Sequence, residues 1–328
     1  MTPQIQKIKS AFQNQNTNNQ IASKNIEVLH QLLDQKTPIN VFIQTLKHWP
    51  DEQPLKIHNY KSMTALGLMV LFIILGFVSS IYFFIPSIFL FFYTGKNFTP
   101  PVELNDFQER LKLYFFEQRY NIKFSTTHTE IKPDLVELPF LKLGNHQNTL
   151  KVLLTGQLEI KQKSYPYTIF NYHYINQSKS KNSKGEVITK DRHKDLWGVL
   201  IENFPYQGIS ISSRLKIHCR LAVDWKSSDI VFNQRYQQSG VSELAIIKFL
   251  TPERLLLMEQ IMLIFPGDFY VDPATSAMYW LFNEMPLTEN NTLSKAETMS
   301  EFAEQLEVLS LPKLEALNKA LTNLLKEL

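Results

Sequence analysis

The chain has 328 residues, 44% of them hydrophobic and 20% charged, with a net charge of +3. That length allows a membrane segment plus one folded domain with helical extensions, and the composition excludes a disordered chain. So small a net charge, with no concentrated basic face, excludes nucleic acid as a partner. The single cysteine excludes an internal disulfide and every Cys-paired zinc or iron–sulfur spacing, which suits a reducing compartment.

The N-terminal region, residues 1–61, reads as two or three short helices. Ile5, Ile8 and Phe12 fall on one helical face, as do Ile26, Leu29 and Leu33. The Asn/Gln run at 13–20 between them reads as a solvated linker, and the polar first twenty residues lack the apolar core of a secretory signal. Thr37 as N-cap before Pro38 starts a helix over Ile39–Trp49, which Pro50 stops.

Residues 62–95 carry no charge and are bracketed by Lys61 and Lys96. Such a run is long enough for the roughly 30 Å hydrocarbon core of a bilayer and reads as a transmembrane segment. As one helix it would be about 51 Å long, too long for a single upright span. Gly76, Ser79, Ser80 and Pro86 offer breaks, so a hairpin of two short helices is favoured over one span. Lysines at both flanks place both ends on the cytoplasmic side.

Residues 96–290 read as a cytoplasmic α+β domain. A helix after Pro101 carries Phe107, Leu111, Tyr114 and Phe115 and ends near Asn121. Strands follow at Leu150–Gly156, Gln157–Lys161 and Tyr167–Ile175, segments rich in β-branched and aromatic residues. In the last of these, Tyr167, Ile169 and His173 share one face, and Phe170, Tyr172 and Tyr174 share the other, which is expected to pack on a helix. A polar, basic loop is expected from Gln177 to Lys184. A strand pair at Trp197–Ile201 and Gly208–Ser213 should follow, then strands at Leu221–Trp225 and Asp229–Tyr236. Thr251 and Pro252 open a helix that Pro266 and Gly267 end, and Asp268–Val271 with Ala277–Phe282 form a hairpin. The C-terminal residues 291–328 make two amphipathic helices, the first opened by a capping box from Ser294 to Glu297, the second carrying Leu314, Leu317, Leu321, Leu324 and Leu328. The predicted fold is α+β: N-terminal helices, a membrane-inserted hairpin or span, a mainly antiparallel sheet with packed helices, and a helical C-terminal tail.

The ten glycines are spread so widely that no two lie within five residues of each other. A dinucleotide fingerprint, a phosphate-cradling P-loop and a GxSxG elbow are thereby excluded. Two clusters could carry acid–base or metal chemistry: His128 with Glu130, and Asp191, His193 and Asp195. They read as a polar strand and a solvated charged turn, so no catalytic, cofactor-binding or metal-ligating residue is assigned, and no cofactor is expected. Cys219 reads as a small buried hydrophobe in a strand. Lys179, Lys181 and Lys184 read as a solvated hairpin loop, with contact to anionic headgroups as the alternative.

Phe232 to Tyr236, then Glu243 to Arg254 with its Leu250-Thr251-Pro252 helix start, and a closing strand at Ala277–Phe282 together resemble the bacterial membrane-protein family of unknown function numbered 3137. The strands at Gly156–Tyr174, the N-terminal membrane segment and the helical tail also fit, although that family tends towards two separable spans. The resemblance implies an α+β architecture in the bacterial inner membrane and a setting beside LemA-type membrane proteins, and it supplies no catalytic residues. The function expected is therefore a non-enzymatic, membrane-anchored module that binds a protein partner. An enzyme using Glu130, Asp191, His193 and Asp195, or a lipid-surface sensor, is the alternative.

Overall fold

The computed structural model describes residues 3–49, 54–99, 104–125, 143–181, 187–213, 219–290, 293 and 296–328. It is α+β, with N-terminal helices, a large antiparallel sheet and a helical C-terminal tail. The chain divides into two compact units, residues 1–118 with 291–310, and residues 119–290 with 311–328. The tail is thus shared between them.

The first unit is helical. α1 spans Pro3–Asp34, so the expected linker at 13–20 is helix instead. The physical reason lies in which polar residues are buried. Gln15, Asn19 and Asn25 join Ala22, Ile26, Leu29 and Leu33 in one buried stripe at helical spacing, and an apolar-only pattern does not reveal it. The C-terminal end of α1 lies beside α5 (Leu104–Tyr120), with the His30 ring 4.6 Å from that of the buried Phe107 and Arg110 paired with Asp34 at 2.8 Å. α2 (Ile39–Lys47) starts one residue after Pro38, without a side-chain cap from Thr37. It buries Phe42, Ile43 and Leu46 against α9 (Met299–Val308). α9 begins later than expected: its capping box is Thr298 with Glu301, whose Oε2 accepts from Glu297 N at 2.8 Å, while Ser294 lies outside the described residues.

α3 (Tyr60–Val78) and α4 (Phe84–Asn97) form the hairpin, joined through Ser79, Ser80 and a 3₁₀ turn at Ile81–Phe83. Pro86 falls in the first turn of α4, where its missing N–H costs nothing. The Phe84 ring lies where a side chain at Gly76 would have to be, which lets the two helices close at the tip.

The second unit is built on nine strands in the order β1-β2-β3-β4-β9-β8-β5-β7-β6, every neighbouring pair antiparallel. The strands are β1 (Ile122–Phe124), β2 (Gln147–Ile160), β3 (Lys163–Lys181), β4 (Val187–Ile201), β5 (Ile209–Ser213), β6 (Val223–Trp225), β7 (Tyr236–Gly240), β8 (Gly267–Val271) and β9 (Met278–Phe282). Two expected strands merge into β2, with a bulge between Val152 and Leu154, and the turn into β3 is Lys161–Gln162, both at positive φ.

One row of side chains defines the core. Ile169, Val199, Trp280, Phe269 and Ile211 lie side by side across five strands, all fully buried. Phe265, at the end of α8 (Pro252–Ile264), sets its ring 5.9 Å from Trp280 and 5.1 Å from Phe282. α10 (Pro312–Lys326) lies near α8 and β2 with Leu314, Leu317, Leu321 and Leu324 buried, and Leu328 falls beyond its end. The opposite face holds Phe170, Tyr172, Tyr174, Leu196, Tyr270 and Tyr279. The described residues packed there, Leu143, Leu150, Val152 and Leu221, come from strand and extended chain and not from the expected helix.

Four further expectations are corrected. Gln177–Lys181 is not loop but the far end of β3, and the supposed charged turn Asp191–Asp195 is mid-strand in β4. Beyond Ile175 the two strands pair only with each other, as a ribbon solvated on both faces, so no hydrophobic alternation marks them. β4 and β5 do not pair with one another; β4 bonds β9, and β5 bonds β7 and β8. Residues 230–235 are not strand but helix α6 (Ile230–Arg235), because the Asp229 side chain accepts from Phe232 N at 3.0 Å and caps it. A further helix, α7 (Glu243–Phe249), follows β7, capped by Ser242.

Candidate functional site

Both helices of the hairpin turn apolar residues outward. Leu66, Leu71, Ile74 and Phe77 on α3 and Ile85, Ile88, Phe89 and Phe92 on α4 are exposed, Phe77 by 80% and Phe89 by 72%. Among the described residues, α3 is the one helix that is long and apolar enough to cross a membrane by length and composition, with a mean hydropathy of 2.1. Soluble domains rarely leave a contiguous apolar surface of this extent in water.

The open end of the hairpin is closed by amides from α1. Asn19 Nδ2 donates to His58 O at 2.8 Å and to Thr99 Oγ1 at 3.1 Å, while its Oδ1 accepts from His58 N at 3.0 Å. One turn earlier, Gln15 Oε1 accepts from Lys61 N at 2.8 Å, and Gln15 Nε2 donates to Asn97 O at 3.5 Å. Asn59 and Thr99 exchange two bonds, at 2.8 and 2.9 Å, and Ser62 Oγ donates to Thr94 O at 3.1 Å. These bonds satisfy helix-terminal backbone groups that would otherwise be buried without partners. Burial lowers the His58 pKa, with Lys56 adding to the effect and Glu297 opposing it. Asn19→Ala should therefore cost about 1–3 kcal/mol of stability, because it strands groups in a half-buried network. Asn18→Ala, one residue away on the exposed side, should stay within about 0.5 kcal/mol. Thermal unfolding of the two variants in matched micelles is the comparison.

Beside this clamp lies a cavity of about 460 Å³, lined from α1 by Asn16, Gln20, Ser23, Lys24 and Glu27 and from the end of α4 by Lys96. It was not legible in sequence, since its residues belong to the stretch that reads as linker.

In the second unit, the cluster centred on β4 comes together only in part. His173 Nδ1 lies 2.9 Å from Asp195 Oδ1, and His173 Nε2 lies 3.2 Å from His193 Nδ1. One tautomer satisfies both contacts, with His173 donating to Asp195 and accepting from His193. Asp191 stands apart, accepting from Gln177 Nε2 at 3.1 Å, and His128 and Glu130 lie outside the described residues. The relay ends at the exposed His193, opposite Ile175 where the two-stranded ribbon begins, and it lines none of the cavities of 400–510 Å³ found among the described residues. Among the described residues, no three His, Cys, Asp or Glu side chains are placed to hold a metal ion. The arrangement is a hydrogen-bonded chain of two imidazoles and one carboxylate.

A second cavity, of about 510 Å³, sits beside β6, β7 and α6 and is lined by Asp224, Trp225, Asn233, Tyr236 and Gln237 among others. Its polar groups serve the local fold. Asp224 is held below the usual carboxylate range by its bonds from Arg220, and Asn233 Nδ2 donates to Ser227 O at 2.7 Å. Cys219 is buried, but outside any strand, and its carbonyl accepts from Ser210 Oγ and Ser212 Oγ. Burial, with Asp268 second, pushes its thiol pKa up, away from the reactive thiolate.

Burial also pushes Tyr172 and Tyr270 on the tyrosine-rich face, and Tyr120, up to about 12. For a group whose folded pKa is raised, the stabilisation is intact below the unfolded value near 10 and is lost as pH climbs towards 12. Unfolding of the second unit should therefore become easier between pH 10 and 12. Tyr172→Phe combined with Tyr270→Phe should flatten that slope in denaturant melts taken across the window.

Comparison of the chain with protein-family models, with curated proteins and with solved structures finds no match.

Proposed function

We propose that this chain is a membrane-anchored module of the bacterial inner membrane that binds a membrane-protein partner and catalyses no reaction of its own. The observation that carries the reading is the α3–α4 hairpin: outward-facing apolar residues on both helices, with Lys61 and Lys96 at its open end. α3 is about 28 Å long, close to the hydrocarbon thickness, while α4 is about 21 Å long and completes its leg through the 3₁₀ turn. A hairpin inserted tip-first keeps both lysines, and with them both halves of the chain, on the cytoplasmic side. This supports a hairpin over a single span.

The partner-binding part of the proposal is supported by apolar residues left exposed on the second unit: Val241, Leu244 and Ile247 around α7, and Leu256, Leu263 and Ile264 on α8. Membership of family 3137, and with it a LemA-type neighbour, is part of the same proposal. An enzymatic role through Asp191, His193 and Asp195 has less support, because those side chains line none of the cavities described above and Asp191 stands apart from the other two. Crosslinking followed by capture of the intact chain from native membranes should recover a membrane protein in stoichiometric amount. Recovery of the chain alone would overturn the partner reading, and proteolysis of the two termini from opposite sides of sealed vesicles would overturn the hairpin.

A further inference from the structure

The polar cavity at the mouth of the hairpin sits where the apolar surface stops. Lys96, in the last turn of α4, ends the uncharged run and also lines the cavity. If the hairpin lies in a bilayer, which is the reading this inference rests on, the cavity lies at headgroup depth. Its charged lining is two cations, Lys24 and Lys96, against one carboxylate, Glu27; the rest is neutral, with Asn16, Gln20 and Ser23 beside residues of the clamp itself, Asn19 and Thr99 among them. The net charge of this set is +1, matching one phosphodiester. One obstacle to an anion there would be the carbonyl end of α4, which carries partial negative charge. Part of that end is already occupied: Thr94 O accepts from Ser62 and Asn97 O from Gln15.

We infer that this cavity holds the headgroup of an anionic phospholipid, its phosphate between Lys24 and Lys96 and a headgroup hydroxyl donating to Glu27. The two lysines favour a lipid of net negative charge over the zwitterionic phosphatidylcholine, whose own cation they repel, and the carboxylate adds to the choice. A choline headgroup offers it no hydrogen-bond donor, whereas a glycerol headgroup offers two. The site also gives the anchor an orientation, because bound lipid fixes the depth of α1 at the membrane surface.

The test uses the full chain in phosphatidylcholine nanodiscs containing a minor fraction of phosphatidylglycerol, followed by mild detergent release and mass spectrometry of the lipid retained. The wild-type chain should retain phosphatidylglycerol in preference to phosphatidylcholine. Lys24→Gln with Lys96→Gln should lower that preference about 30-fold, on the usual worth of a lysine against an anionic headgroup. Lys24→Arg with Lys96→Arg should preserve most of it, which a merely misfolded variant would not do, and Lys179→Gln in the second unit should change nothing. Flotation on pure phosphatidylcholine vesicles reads the anchor separately. A chain that does not float sinks the membrane reading. A chain that floats but retains both lipids equally, or whose double Gln variant keeps the preference, overturns the headgroup site alone. Displacement of the lipid by an equal concentration of glycerol 1-phosphate would show a site for soluble phosphate and would also overturn it.

Discussion

Leu71→Arg combined with Phe89→Arg is expected to move the chain out of the floating fraction when it is mixed with neutral vesicles. Both side chains lie near the middle of their helices and face outward. Moving an arginine in place of a leucine to the centre of a membrane helix costs about 3–4 kcal/mol, which is a shift of roughly a hundredfold to a thousandfold in partition for that one site. Leu244→Arg is the control. Leu244 is as exposed as many hairpin residues, at 60%, but belongs to the second unit and should leave flotation unchanged. If the double variant floats like the wild type, the hairpin is not the anchor. If Leu244→Arg abolishes flotation, the apolar residues of α7 and α8 are a membrane surface and not a docking surface.

The second large effect is expected at Gly267, the first residue of β8. A Cβ built there would stand 1.7 Å from the carbonyl oxygen of Leu281, an atom of the neighbouring strand's backbone. No rotamer change relieves that collision, so β8 must move away from β9, and with it Phe269 from the row through Trp280 and Val199. Gly267→Ala should destabilise the second unit by about 3 kcal/mol, a fall in melting temperature of about 6–12 °C for a unit of this size. At Gly198 the clash is with the buried Phe170 ring, which can shift a little, so its alanine variant should be milder. Gly95→Ala meets nothing within 4 Å and lies in a helix, so it should be neutral or slightly stabilising. Calorimetry of the three variants orders them, and a Gly267→Ala protein that melts with the wild type would refute the close approach of the two backbones.

Legibility in the sequence followed the solvent on each side of an element. α5, α8, the β8–β9 hairpin and the leucine stripe of α10 each bury one face or both, so their apolar periodicity survives in the residue order. Where that contrast fails, so does the reading. The outer part of β3–β4 is wet on both faces and passes for loop. The middle of α1 buries amides and passes for linker. At Ile230–Arg235, β-prone residues are turned into helix by one carboxylate at Asp229, a local hydrogen bond that outweighs propensity. The turn at Lys161–Gln162 escaped notice because neither residue is the glycine or asparagine that such a turn usually takes.

What the linear order decided by itself was the class of the protein and the place of its apolar segment. Composition, glycine spacing and an uncharged run between two lysines need no tertiary contact to be meaningful, because they describe what each segment can tolerate as solvent. Only the folded chain decided what the polar residues do. Hydrogen-bond partners of Asn19 and Gln15 lie some 40 to 80 residues away, and the meeting of His173 with Asp195 and His193 depends on strand register. Amides and imidazoles look alike in water and in a buried network, and which of the two surrounds them is set by the packing of distant helices and strands.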